Sequence, residues 1–152
     1  MGGQDLVLRR AERSDAASIR ELTRAAYAKW VSLIGREPKP MLADYDEAVR
    51  NHRIDLLFSA DGLIGLIEMI SEFDQLLIEN IAIAPGSQGH GYGRRLMAHA
   101  ENVAFALEYR KIRLYTNKLF AVNITLYCKL GYRVDREEEF KGGTVVHMTK
   151  NL

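Results

Sequence analysis

The chain is poor in the residues that brace or anchor a protein. A single cysteine, Cys128, stands among 152 residues, so no internal disulfide framework is possible. No stretch approaches the ~18 consecutive apolar residues of a membrane span, and none has the pattern of a secretory leader, which points to the cytoplasm. An excess of charge of one sign is also missing. The 21 Lys and Arg against 20 Asp and Glu leave a net charge of +1, which gives no general attraction to nucleic acid or to an anionic membrane, and neither is expected as a partner. The histidines at 52, 90, 99 and 147 lack metal-site spacing, and no metal is expected. What remains is ordinary globular material: 47% hydrophobic and 27% charged residues, at a length that suits one domain, residues 1–152, with a sizeable core.

Hydrophobic periodicity divides the chain into elements. Asp5 to Arg10 reads as a strand, and Ser14 or Asp15 caps a helix with Ile19, Leu22, Ala26, Trp30 and Leu33 on one face, running to about Ile34. Pro38 and Pro40 fix φ and remove donors, so the segment from Gly35 is an ordered loop, followed by a short helix from about Asp44 to Asn51. Ile54 to Ala60 and Leu63 to Glu72 flank Asp61-Gly62, a hairpin signal, and the second strand turns near Phe73-Asp74 into Leu76 to Ile83. Lys111 to Thr116 is a further strand, Ala121 to Leu130 a last helix, and Tyr132 to Glu138 pairs with Thr144 to Lys150 across Gly142-Gly143. The expected fold class is α/β, with a mixed, mostly antiparallel sheet of six or seven strands and about four helices.

The most informative segment is Gln88-Gly89-His90-Gly91-Tyr92-Gly93. It lies between the apolar strand ending at Ile83 and a helix, from Arg94 onward, that carries Leu96, Met97, Ala100, Val103, Ala104 and Leu107 at helical spacing. Strand, glycine turn and helix form an anion-binding layout. The first N–H groups of a helix lack internal partners, the helix dipole adds partial positive charge, and glycines at 89, 91 and 93 allow close approach and positive φ. Two better-known phosphate loops are excluded. No Gly-Lys-Ser/Thr closes a Walker A loop, and Leu96 stands where a dinucleotide fingerprint from Gly91 and Gly93 needs its third glycine.

This loop resembles that of the GCN5-related N-acetyltransferase (GNAT) family, which reads Gln/Arg-x-x-Gly-x-Gly/Ala after the fourth strand; Gln88, Gly91 and Gly93 match it. A second stretch, Asn123 to Tyr132, is similar to that family's later motif: an Asn four residues before a Tyr, then Gly131-Tyr132. The resemblance implies a GNAT-like fold, splayed between strands four and five. It also implies acetyl-coenzyme A as donor, held by the Gln88 to Gly93 backbone, and an amine as acceptor. A bulge in the fourth strand would free an N–H for the thioester carbonyl, with Ile81, Ala82 and Ile83 spanning that place and pairing with the pantetheine arm. The resemblance also allows a homodimer.

Acetyl transfer to an amine makes its own demands on side chains. The amine must lose a proton, since a lysine-like ammonium has a pKa of about 10.4, and Glu79, which interrupts an apolar strand, is the candidate base. The alternative is that Glu79 faces solvent or pairs with an arginine. The departing thiolate needs a proton, which Tyr127 can supply; otherwise Tyr127 is a core aromatic. Asn123, four residues earlier on the same helix face, either bonds the pantetheine arm or caps the helix. Arg94 either contacts a phosphate or is solvated. Cys128 reads as a small packing residue, so direct transfer is expected rather than an acetyl-cysteine intermediate.

The acceptor, a small molecule or peptide, is expected against Tyr27, Trp30, Met41 and Tyr45, where aromatic and apolar surface concentrates; the alternative, stronger for Trp30 than for Tyr27 or Tyr45, is that the ring belongs to the core stripe. A competing reading is a noncatalytic acyl-coenzyme A binding or sensing module, which needs the glycine loop but neither Glu79 nor Tyr127.

Overall fold

Among the described residues, seven strands form one mixed sheet covered by helices on both faces, and its two halves join at a place where the strands diverge. The computed structural model describes residues 5–152. Strand β1 (Val7–Arg10) leads through a 3-10 turn (Arg13–Asp15) into α1 (Ala16–Ile34), α2 (Lys39–Leu42) and α3 (Tyr45–Asn51). There follow β2 (Arg53–Ser59), β3 (Gly62–Ser71), β4 (Leu76–Ile83), α4 (Tyr92–Ala106), β5 (Lys111–Asn117), α5 (Ala121–Lys129), β6 (Arg133–Phe140) and β7 (Gly143–Asn151). The sheet order is β1-β2-β3-β4-β5-β7-β6, antiparallel except for the β4–β5 pair. The expected fold class therefore holds. Among the described residues no helix is long and apolar enough to cross a membrane.

Each face of the sheet has its own apolar cluster. Leu96, Met97, Ala100, Val103 and Ala104 of α4 pack with Ile67 and Met69 of β3, Ile78 of β4 and Tyr127 of α5. Ile19, Leu22 and Ala26 of α1 pack on the other face with Tyr45 and Ala48 of α3 and Leu56, Leu66 and Ala82 of the sheet. A fully buried Leu or Met, such as Leu96 or Met97, stabilises by about 1.5–3 kcal/mol, so these stripes fix both helices against the sheet.

Several boundaries differ from the sequence reading for identifiable reasons. The first hairpin turns at Ala60 and Asp61, because Ser59 pairs with Gly62, which opens β3 at φ +105°. The last turns at Lys141 and Gly142, with Phe140 paired to Gly143. Both turn residues have positive φ, 49° and 79°, the combination whose twist matches a hairpin. Asp15 precedes α1 but its carboxylate accepts from Arg9 and from the backbone N–H of Glu12, closing the 3-10 turn instead of capping the helix. Leu33 is exposed and Trp30 stacks on Phe120 at 4.3 Å between ring centres, so the buried stripe of α1 ends near Ala26. Cys128 is exposed rather than packed.

The decisive irregularity lies in β4. Glu68 of β3 pairs with Asn80 and Met69 with Ile78, so Glu79 is an extra residue without a partner on β3. This is a β-bulge, which bends a strand and re-aims its side chains. It sits one residue before Asn80, earlier than the Ile81 to Ile83 span expected for it. On the opposite edge, β4 pairs with β5 only over Leu76–Ile78 and Ile112–Leu114. From Glu79 and Tyr115 onward the two strands separate.

Candidate active site

Glu79 sits where the strands part. Its side chain is 19% exposed and lines a cavity of about 390 Å³ between α1–α2 on one side and β5, β7 and β6 on the other. The Tyr115 hydroxyl, the first of β5 beyond the split, donates to the Glu79 carboxylate. Lys39 Nζ lies 4.0 Å from the other carboxylate oxygen and 3.1 Å from the Tyr115 hydroxyl. Burial first, and then the bond to Glu79, push the Tyr115 phenol up, so it stays protonated and donating. Thus Glu79 neither faces open solvent nor pairs with an arginine.

A second cavity of about 250 Å³ shares Lys39, Pro40, Glu79 and Tyr115 with the first. Glu68 and His52 line it, with Glu68 Oε2 2.6 Å from His52 Nδ1. Burial raises the Glu68 carboxyl despite that contact. Glu79 and Asn80, neighbours at the bulge, both line this second cavity. Asn80 accepts from the Tyr27 hydroxyl at 3.0 Å and donates to Thr23 and Tyr45, both at 3.3 Å, tying α1 and α3 to the strand. Tyr27 also donates toward the Ile81 carbonyl at 3.3 Å.

Below the C-terminal end of β4, the glycine loop delivers α4. Gly89 and Gly91 hold φ of 81° and 82°, the left-handed conformation that L side chains disfavour by about 1–2 kcal/mol. Gly93 is different: it lies within the first turn of α4, and its φ is not positive. A Cβ built on Gly91 or Gly93 meets nothing within 4 Å, so the loop's surface is open to a ligand. Gly91 is the N-cap, with no side chain to satisfy the helix N–H groups, and the first turn holds no acidic residue. These are the conditions under which a phosphate binds a helix start. Gln88 is engaged otherwise, donating to the Ile83 carbonyl at 3.1 Å and accepting from Lys29 at 2.8 Å, which pins the loop to β4 and α1.

A sequence model described as the acetyltransferase (GNAT) family matches residues 17–132. The chain belongs to that family. It is accordingly an acyltransferase of the GNAT type. Among solved structures, it is similar to the PaiA N-acetyltransferase from Thermoplasma acidophilum in complex with coenzyme A. That likeness has 17% identity, covers 97% of this chain and 99% of that one, and has a TM-score of 0.78. A GNAT family acetyltransferase from Elizabethkingia anophelis with acetyl-CoA bound is 18% identical, with 97% and 98% covered and a TM-score of 0.74. A mutant of spermidine N-acetyltransferase SpeG from Vibrio cholerae is 26% identical, with 96% and 93% covered and a TM-score of 0.72.

The remaining GNAT-motif residues fall on the other side of the split. Tyr127 of α5 is buried, 7% exposed, with its ring 6.2 Å from that of Tyr132, and burial pushes its phenol up to about 12. Tyr127 is close enough to Tyr27 to act on its ionisation: burial first, then Tyr127, Tyr45 and Tyr115, push the Tyr27 phenol well up. Asn123 is half-buried on α5 and its side chain does not cap that helix, whose N-cap is Phe120. Ile81 and Ile83 turn toward the α4 cluster, while Ala82 packs under α1. In the loop, His90 is exposed and its ring lies 6.0 Å from that of Tyr92, which packs on the α4 cluster; Arg94 is exposed on the first turn of α4.

Of the residues expected around the acceptor, Tyr27 lines the larger cavity and Tyr45 the smaller. Trp30 lines neither, but backs Phe120, which does. Met41 of α2 is buried and lines neither cavity. Sequence reasoning missed Lys39, Tyr115, Glu68 and Asn80. A signal existed for two of them: Glu68 is a lone acid in an apolar strand, as Glu79 is, and Tyr115 alternates with the buried Ile112 and Leu114.

Proposed function

We propose that this chain transfers an acetyl group directly to a primary amine of a small molecule or peptide bound in the larger cavity. Acetyl-coenzyme A is the donor and supplies the activated thioester. The open start of α4, with Gly91 and Gly93, fits its diphosphate, and the gap between β4 and β5 fits its pantetheine arm. Asn123 and the β4 edge at Ile81 and Ile83 would hold that arm, and Arg94 would add a phosphate contact.

The observation that carries this reading is the position of Glu79, a half-buried carboxylate held by Tyr115 at the mouth of the strand gap. There it takes the proton of the incoming ammonium. The Tyr127 phenol keeps its proton throughout the neutral range and donates it only as the sulfur gains full charge. A backbone N–H near the bulge stabilises the carbonyl oxygen as it becomes negative. Phe120, Phe140 and Tyr27 give the cavity an aromatic wall that suits an acceptor with an apolar body, and Glu79 and Glu138 stand there beside Arg36, Lys39 and Arg113. The likeness to spermidine N-acetyltransferase puts polyamines first in a screen.

Membership in an acetyltransferase family favours the enzyme over a noncatalytic acyl-coenzyme A module. The test is calorimetric titration with acetyl-coenzyme A and with coenzyme A, repeated on Gly91→Val, followed by an amine screen. Micromolar binding lost in the variant, with turnover on an amine, is the expected result. Absence of binding in the wild type would overturn the proposal.

A further inference from the structure

Lys39 occupies an unusual position. It is flanked by Pro38 and Pro40, whose rings fix the backbone, and the segment is clamped from two sides: Arg24 donates to the Met41 carbonyl at 2.9 Å and Tyr45 to the Pro40 carbonyl at 2.6 Å. From this rigid base the side chain, 64% exposed, reaches over the cavity mouth. Its Nζ lies 4.0 Å from a Glu79 carboxylate oxygen, 3.1 Å from the Tyr115 hydroxyl and 5.5 Å from the Tyr115 ring centre. Both partners stand at the first positions beyond the last β4–β5 pair. A primary amine of the chain itself therefore sits where an acceptor amine would meet the candidate base.

We infer that Lys39 is a self-acetylation site, modified in cis by the chain that carries it. This rests on the assignment of Glu79 and of the donor in the preceding section. Glu79 accepts a proton from the Lys39 ammonium, and the freed Nζ lone pair attacks the carbonyl carbon of an acetyl thioester. The N–C bond forms and the C–S bond breaks. The thiolate leaves with the bonding electrons and takes a proton from Tyr127. The second proton, shed by the nitrogen as the amide forms, passes through solvent to restore the Tyr127 phenol, while Glu79 returns its own proton to solvent, and nothing is oxidised or reduced. The product is a neutral amide that can no longer pair with Glu79. Acetylation of Lys39 thus removes a resident cation that any external amine must displace.

The reaction is read on the full chain incubated with acetyl-coenzyme A and no added amine, cleaved after glutamate (the Glu37–Pro38 bond resists), with the Leu22 to Glu47 peptide followed by mass spectrometry and Lys39 told from Lys29 by fragmentation. Lys39 should gain one acetyl group per chain with a first-order rate constant independent of protein concentration, at least about 10-fold faster than the exposed Lys111 and Lys141. Glu79→Gln should slow it by about 10²-fold. Equal rates at all three lysines, indifference to Glu79→Gln, or a rate that rises with protein concentration would each overturn the inference. Titration of the same preparation with coenzyme A separates the two failures. Binding with Lys39 unmodified removes only the self-acetylation, whereas absent binding removes the reading of the site as well.

Discussion

The Tyr115 hydroxyl on β5 donates to the Glu79 carboxylate on β4 across the point where the two strands part. One side chain is thus oriented by the other, and the bond closes the sheet where backbone pairing stops. Tyr115→Phe should leave the fold intact and lower kcat by about 10-fold through lost orientation, with coenzyme A affinity unchanged. Steady-state kinetics alongside calorimetry would check this, and unaltered kcat would remove Tyr115 from the site.

Tyr127 is assigned a proton that only the departing sulfur needs. Tyr127→Phe should therefore reduce kcat by about 10²-fold while KM and donor affinity change little. A loss confined to KM would instead make Tyr127 a binding or packing residue.

Gly91 holds a left-handed φ at the open start of α4. Gly91→Val adds both strain and bulk there, and should weaken coenzyme A binding by at least about 10-fold. Calorimetry decides the matter, with circular dichroism to confirm that α4 persists. Undiminished affinity would refute the phosphate assignment.

Away from the site, Asp55 of β2 is buried and meets His99 of α4 at 2.6 Å and Arg53 at 3.0 Å. Burial alone would raise its carboxyl, but His99 and Arg53 together hold it below the ordinary 3.8. The unfolded chain then binds that proton more readily than the folded one. The resulting stability is complete above the unfolded carboxylate range and is lost as pH falls through the lowered folded value. Urea midpoints should fall from about pH 5 downward, and Asp55→Asn should flatten part of that fall while lowering stability at neutral pH by about 2–3 kcal/mol. Parallel curves for the two proteins would contradict this role.

The glycine loop, the order of elements and the buried stripe of α4 were legible in the sequence because each is a local matter. Periodicity reports which residues face a core, and Gly89 and Gly91 mark backbone that must take positive φ. The bulge was not legible. Ile78, Glu79 and Asn80 follow one another in an ordinary strand pattern, and only the register against Glu68 and Met69 shows that Glu79 is the extra residue. Lys39 and Tyr115 were missed because they stand 40 and 36 positions from Glu79 and meet it only in space.

The sequence by itself determined a GNAT-like chain with a phosphate-ready helix start, since steric freedom at glycine and the unpaired N–H groups of a helix's first turn are properties of consecutive residues. Tertiary structure alone decided which carboxylates meet which donors. The β4–β5 gap, the pairing of Glu79 with Tyr115, and the reach of Lys39 over both arise from strand register and helix packing, where small shifts decide whether two side chains touch.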